Sequence, residues 1–250
     1  GDYIFRACYT DAFQGKIVAD FALNDLKAAT AAVLVNANLS YSESLAKAFI
    51  SRYTKRGGEV ILELNYLEKT ADFINVIKQI KAARPHVVFL PGYIKDSGFI
   101  LKQARLNGLS VPFIGGDGWS NPMYEVAGDV IEGNFYTNHW HPDGPGEKNR
   151  AFVQKYNQMP ELMDSGSALG EDCVFLFADA VKRADSLVPS RIRDALAETQ
   201  DFQGVTGVFR FDESGDPIKS AVILKFDKGT SVYVKAVSPN NKKNIEPAGN

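Results

Sequence analysis

Cysteine and histidine are scarce in this chain. Among 250 residues there are two cysteines, Cys8 and Cys173, and three histidines. That excludes a disulfide-dense scaffold and any metal centre built from several thiolates. Two buried thiols are the plainer reading of the cysteines, and their spacing does not decide whether the sulfurs meet. No apolar run approaches the roughly eighteen residues of a membrane span. With 28 basic against 30 acidic residues the formal charge is −2, which offers no basic field for nucleic acid. No leader is legible at Gly1, and because leaders are removed in processing this leaves the compartment open. Dinucleotide and P-loop spacings are missing too: Gly115-Gly116-Asp117-Gly118 has glycines but neither pattern. The stretch from Ser165 to Gly170 fails the nucleophile-elbow spacing. His139-Trp140-His141 offers two imidazoles with only Asp143 nearby, too few for a metal. No paired carboxylates or Cys/His cluster points to catalysis, so we expect no enzyme, no metal and no cofactor.

What is present is an alternation of periods. Short β-rich runs lie at 31–36, 59–66, 86–90 and 111–115. Between them apolar residues recur three and four apart: Leu45, Ala48 and Phe49; then Phe73, Ile74, Ile77 and Ile80; then Phe99, Ile100, Ala104 and Leu106. A further amphipathic helix is expected over 13–29. Strands alternating with helices build a parallel sheet covered by helices, an α/β fold. Ser40-Tyr41-Ser42-Glu43 reads as a capping box, and Gly57-Gly58 and Asn107-Gly108 as helix stops. After Trp140 a breaker cluster, from His141 to Gly146, changes the texture. Helical patterns follow at 147–158, 167–184 and 190–199, then β-like runs at 205–211, 220–226 and 231–237. The polar tail, 238–250, is expected to fray.

Parallel sheets bind ligands beyond the carboxyl ends of their strands. That rule selects the loops at 36–41, 66–70, 91–97 and 116–120. They present Tyr41, Tyr93, Asp117 and Trp119, with Ser40, Ser42 and Lys95 beside them. An acid among aromatic rings on glycine-flanked turns suits a small solute with an ammonium group and an apolar body. The plainer alternatives are aromatic caps on a core and a solvated Gly-Asp-Gly turn.

At these residues the sequence resembles the leucine/isoleucine/valine-binding proteins, the type I periplasmic binding proteins of branched-chain amino acid ABC transporters. Tyr3-Ile4-Phe5-Arg6 with Asp11 and Gln14-Gly15 is similar to their segment passing from one lobe to the other. Ser40 to Ala46 resembles their "YGxGLA" stretch, and Gln103-Ala104-Arg105 with Asn107-Gly108 their "QARxxGL" helix. Ile114 to Trp119, Ala127 to Gly133 and Ser167 to Asp172 follow in the family's order. The resemblance implies two α/β lobes closing on a ligand. One lobe would hold 11–137 plus 218–237, the other 1–10 plus 138–217. It implies that Asp117 pairs a ligand's α-ammonium and that Tyr41 and Tyr93 line the cleft. It further implies an amino acid ligand, an ABC transporter permease as partner and a periplasmic or extracytoplasmic location. A ligand-sensing module of the same fold is the alternative, and an α/β enzyme using Asp117 is a weaker rival.

Departures from the family pattern shape further expectations. Aspartate replaces the glutamate typical of leucine binders. Ser167 and Ala168 are small where relatives place an aromatic, hinting at a larger pocket, and Glu171 stands for a tyrosine. The opening βαβ units have no counterpart before Tyr3. One lobe is therefore expected to be incomplete, exposing an apolar patch that invites self-association or a complementing segment.

Overall fold

A computed structural model describes residues 2–67 and 70–238. The tail beyond Ser238, expected to fray, lies outside the described residues. In chain order the elements are α1 (Asp11–Asn24), β1 (Thr30–Asn36), α2 (Ser40–Lys55), β2 (Glu59–Tyr66), α3 (Ile74–Ala83), β3 (Val87–Phe89), α4 (Ile94–Leu106), β4 (Phe113–Gly115), α5 (Met123–Ala127) and β5 (Phe135–Asn138). They continue with α6 (Glu147–Tyr156), α7 (Ser165–Ala184), α8 (Pro189–Ala197), β6 (Phe202–Gly204), β7 (Gly207–Phe211), β8 (Pro217–Ile218), β9 (Ala221–Asp227) and β10 (Thr230–Val237). Read over the described residues, the chain forms two compact units. One comprises Asp11–Thr137 and Ile223–Val234; the other comprises residues 2–10, 138–222 and 235–238.

The first unit is built on a seven-stranded sheet in the order β10-β9-β5-β4-β3-β1-β2. β1 pairs in parallel with β2 and β3, and the parallel run continues through β4 to β5. Position follows composition. The uninterrupted apolar run of β1 is buried at six of its seven residues, as an interior strand requires, whereas edge strand β2 carries Glu59 and Glu63 outward. The chain steps from β1 out to β2 and then returns to the other side of β1 as β3. This reversal makes a topological switch point between β1 and β3.

Helices α1 and α2 pack closely because Gly15 lets the backbones approach. A Cβ there would stand 2.6 Å from Ala48 Cβ and 2.8 Å from Phe49 N. Beside that crossing the Arg52 guanidinium donates to both carboxylate oxygens of Asp20 at 2.9 Å, a nearly buried bidentate pair. Tyr53 reaches the Ala28 carbonyl at 2.6 Å, and burial pushes its phenol up to about 12. The core is aromatic: Phe49 stacks on Phe89 at 4.4 Å, and Phe226 from β9 stacks on Tyr136 at 4.9 Å.

Local expectations at α2 need correction. Ser40 is the first helical residue and not a cap; Leu39 holds the cap position in extended conformation, without a side-chain bond. The serine that serves the backbone is Ser42, which accepts from the Asn36 N–H at 2.9 Å and donates to the Pro91 carbonyl at 2.5 Å. Its hydroxyl thereby ties the ends of β1 and β3 together instead of closing a helix.

The second unit has a three-stranded antiparallel sheet, β6-β7-β8, with α6, α7 and α8. The breaker cluster after Trp140 is pinned by Asn149, which accepts from the Trp140 indole at 2.6 Å. Its amide donates to the carbonyls of His141, Pro142 and Gly144. His139 is buried and stacks on Tyr9 at 3.8 Å. Ala168, where the sequence hinted at spare room, is fully buried in a cluster with Trp140, Phe152 and Val205. The second face of α7 is exposed and apolar: Val174, Phe175 and Phe177 each keep half or more of their surface accessible. The side chain of Glu171 is mostly buried, and it meets Lys155 at 2.9 Å and the Tyr156 hydroxyl at 3.3 Å.

Candidate functional site

Three loops converge beyond the carboxyl ends of β1, β3 and β4, at the switch point. The first leads into α2 through Ser40 and Tyr41. The second passes Pro91 and Gly92 to Tyr93, whose extended backbone caps α4. The third carries Gly116, Asp117 and Gly118. The Tyr41 hydroxyl joins the first and third: it donates to Asp117 Oδ1 at 2.9 Å and accepts from the Gly118 N–H at 3.1 Å. The rings of Tyr41 and Tyr93 stack at 5.2 Å and are nearly parallel, at 11°. Tyr93 is 50% exposed and Asp117 half-buried. A carboxylate therefore stands beside two parallel phenol rings, one of them open to solvent.

Glycines make this convergence sterically feasible. A Cβ on Gly116 would lie 2.4 Å from the Tyr41 hydroxyl, and one on Gly118 would lie 2.7 Å from the Gly92 carbonyl. Under the loops runs a polar layer that sequence reading did not single out. Asn36 donates to Asp96 at 3.1 Å and accepts from the Asn38 N–H at 3.0 Å. Ser97 is wholly buried, and its hydroxyl lacks a partner among the described residues. That hydroxyl and the Tyr66 hydroxyl both crowd the position a Gly92 side chain would take. Burial, aided by the Asp96 charge, pushes the Tyr66 phenol well above its ordinary range. A run such as Asn36-Ala37-Asn38 signals only a turn, so nothing in it pointed to this layer.

Of the five residues singled out, the structure brings Tyr41, Tyr93 and Asp117 together. Ser40 is exposed at the start of α2, next to Tyr41. Trp119 stands apart. Its indole is completely buried, lies flat under Gly115, where a Cβ would meet the ring at 2.2 Å, and stacks on Phe226 at 6.3 Å. Its Nε1–H has no acceptor among the described residues. No group of three or more metal-ligating side chains occurs among the described residues. The arrangement suits recognition of a cation by a carboxylate in an aromatic surround.

The fold and this loop cluster define a class, and a family model agrees with it. The chain matches the periplasmic binding protein family over residues 1–231 and belongs to that family, whose members are solute-binding proteins and not enzymes. Among relatives, it is 29% identical over 228 residues to Leu/Ile/Val-binding protein homolog 1 of Brucella melitensis, covering 90% of this chain and 61% of that one. It is also 29% identical over 222 residues to the leucine-, isoleucine-, valine-, threonine- and alanine-binding protein of Pseudomonas aeruginosa, covering 85% and 57% respectively. The chain thus spans about three-fifths of the length of these relatives. The solved leucine binding protein LivK of Thermotoga maritima superposes with a TM-score of 0.88 at 28% identity, over 96% of this chain and 69% of that one. LivJ of Streptococcus pneumoniae, solved with isoleucine, gives 0.83 at 27% identity, over 95% and 68%.

Proposed function

We propose that this chain captures an amino acid, branched-chain or similarly small and amphipathic, as the solute-binding component of an ABC transporter outside the cytoplasm. Asp117 takes the ligand's ammonium group, the stacked rings of Tyr41 and Tyr93 cover its apolar part, and Ser40 lies at the rim. In this reading Trp119 acts beneath the site, holding the Gly115 strand end against Phe226. The observation that carries the proposal is the half-buried carboxylate oriented by the Tyr41 hydroxyl at 2.9 Å beside the stacked tyrosine pair. The Leu/Ile/Val-binding name of the Brucella relative and the isoleucine bound in LivJ point to the same class. Periplasmic relatives and a permease partner fit it as well.

Titration calorimetry with leucine, isoleucine and valine tests the reading. Asp117→Asn should weaken binding by about 2–5 kcal/mol, because the ammonium would enter a part-buried site without its counter-charge. Asp143→Ala, whose side chain is largely exposed in the other unit, should match the native chain. Equal affinities for the native and Asp117→Asn chains would refute the assignment.

We also propose that the exposed apolar face of α7 is covered in use by a complementing α/β segment. Support comes from Val174, Phe175 and Phe177, three large side chains that a lone unit would expose to water. Light scattering separates the outcomes: a stable dimer buried on this face would make a second copy the occupant instead.

A further inference from the structure

The two cysteines, 165 residues apart in sequence, come to one place in the second unit. Ala7 packs in a cluster with Leu176, Phe209 and Phe211, which lays the opening segment against α7 one turn from Cys173. Cys8 follows Ala7 directly in the chain, and both the Ala7 backbone and the Cys8 charge act on the Cys173 thiol. A buried lysine braces the same spot. Lys219, 1% exposed, donates to the Ala7 carbonyl at 3.4 Å and to the Thr206 hydroxyl, and lies 4.4 Å from the Phe209 ring centroid. The Thr206 hydroxyl in turn donates to Asp172 at 2.6 Å, and Asp172 also accepts from the backbone of Val205 and Thr206. One polar chain therefore connects residue 7 to residue 172, and each is followed by a cysteine. Both thiols are free and exposed, within reach of a reagent.

We propose that Cys8 and Cys173 form an oxidative cross-link site, joining to each other when a disulfide donor is supplied and so tying the opening segment to α7. With glutathione disulfide as donor, one cysteine thiolate attacks a donor sulfur. The donor S–S bond breaks and one glutathione thiolate leaves. The second cysteine thiolate then attacks the protein sulfur of the mixed disulfide and expels the second glutathione. The protein pair loses two electrons, the donor gains them, and the two thiol protons end on the released glutathiones. Partial desolvation, together with the Asp172 and Cys8 charges, raises the Cys173 thiol above its ordinary range, which slows the step without preventing it. With two cysteines in the whole sequence, no other intramolecular pairing competes. The proposal is independent of what Asp117 binds.

The test treats the full chain with glutathione disulfide, native and in urea, and reads intact mass, a non-reducing gel and a peptide map. The native chain should lose two hydrogens in mass, stay monomeric and yield a linked peptide containing residues 8 and 173. It should cyclise faster than the urea-unfolded chain, and Cys8→Ser should carry a single glutathione on Cys173. The cyclised form should melt several degrees higher than the reduced form, and reductant should reverse the shift, because the bond closes a loop spanning much of the chain. Two glutathione adducts, chains linked to each other, unreacted thiols, or equal cyclisation in urea would each overturn the proposal.

Discussion

At Tyr41 one phenol oxygen serves two loops, accepting from the Gly118 backbone and donating to Asp117, which lies 76 residues further along the chain. Tyr41→Phe keeps the ring stacked on Tyr93 but removes both bonds. We expect amino acid affinity to fall about tenfold, near the 1–1.5 kcal/mol of a hydrogen bond, with the melting temperature nearly unchanged; calorimetry and thermal denaturation read the two effects separately. The strand-end rule made these residues legible without coordinates, since an acid and tyrosines at carboxyl ends are visible as text. Which way a ring faces is not. Tyr93 turns half its surface outward while Trp119, chosen by the same rule, is buried against Phe226. That difference comes from the space Gly115 leaves beneath the loop, a tertiary fact. Lys219 was equally hidden, because a lysine beside Ile218 and Ser220 reads as a solvated strand residue. Only the fold sets it against Asp172 and Thr206.

Among the elements, most strands and helices of the first 115 residues lie where hydrophobic period placed them. β1 and β2 agree with expectation to within a residue at each end. The misses have local causes. The run expected at 111–115 begins only at Phe113, since Pro112 lacks the N–H to join the ladder. β5 leaves no signature in the sequence, because four residues after Gly133 and Asn134 are too short for an alternation to stand out. The paired glycines after α2 do mark its end, Gly57 taking φ +87°. Glycines inside helices then separate two outcomes. In Gly15→Ala the gain of about 1 kcal/mol in helix propensity meets a backbone atom at 2.8 Å, which cannot swing aside. Overpacking of this kind costs about 1–3 kcal/mol, so urea denaturation should show a net loss. Gly170→Ala in α7, with nothing within 4 Å, should be stabilising by about 0.5–1 kcal/mol. If both variants shift the midpoint the same way, the close α1–α2 crossing is not what limits position 15.

For the molecule as a whole, stability should carry a signature of its buried amine. Burial brings Lys219 down from 10.5 to about 7, opposed by Asp172 and by the two cysteines. Between those values the unfolded chain holds a proton that the folded chain gives up, so this group's contribution makes stability rise with pH across the window. In Lys219→Met the rise should disappear, and urea midpoints at about pH 7 and about pH 8.5 measure the difference between the two chains. A slope shared by both would place the cause in other groups. One arrangement bears on how the chain is made. β9 and β10 complete the sheet beside β5, and Phe226 fills the space over Tyr136, yet the residues of α6 to β8 are synthesised in between. The unit that starts at residue 11 therefore waits for residues 221–237, which are made only after all of α6 to β8. Until then its half-made sheet keeps an open border, and a chain stopped before residue 221 would keep that border permanently.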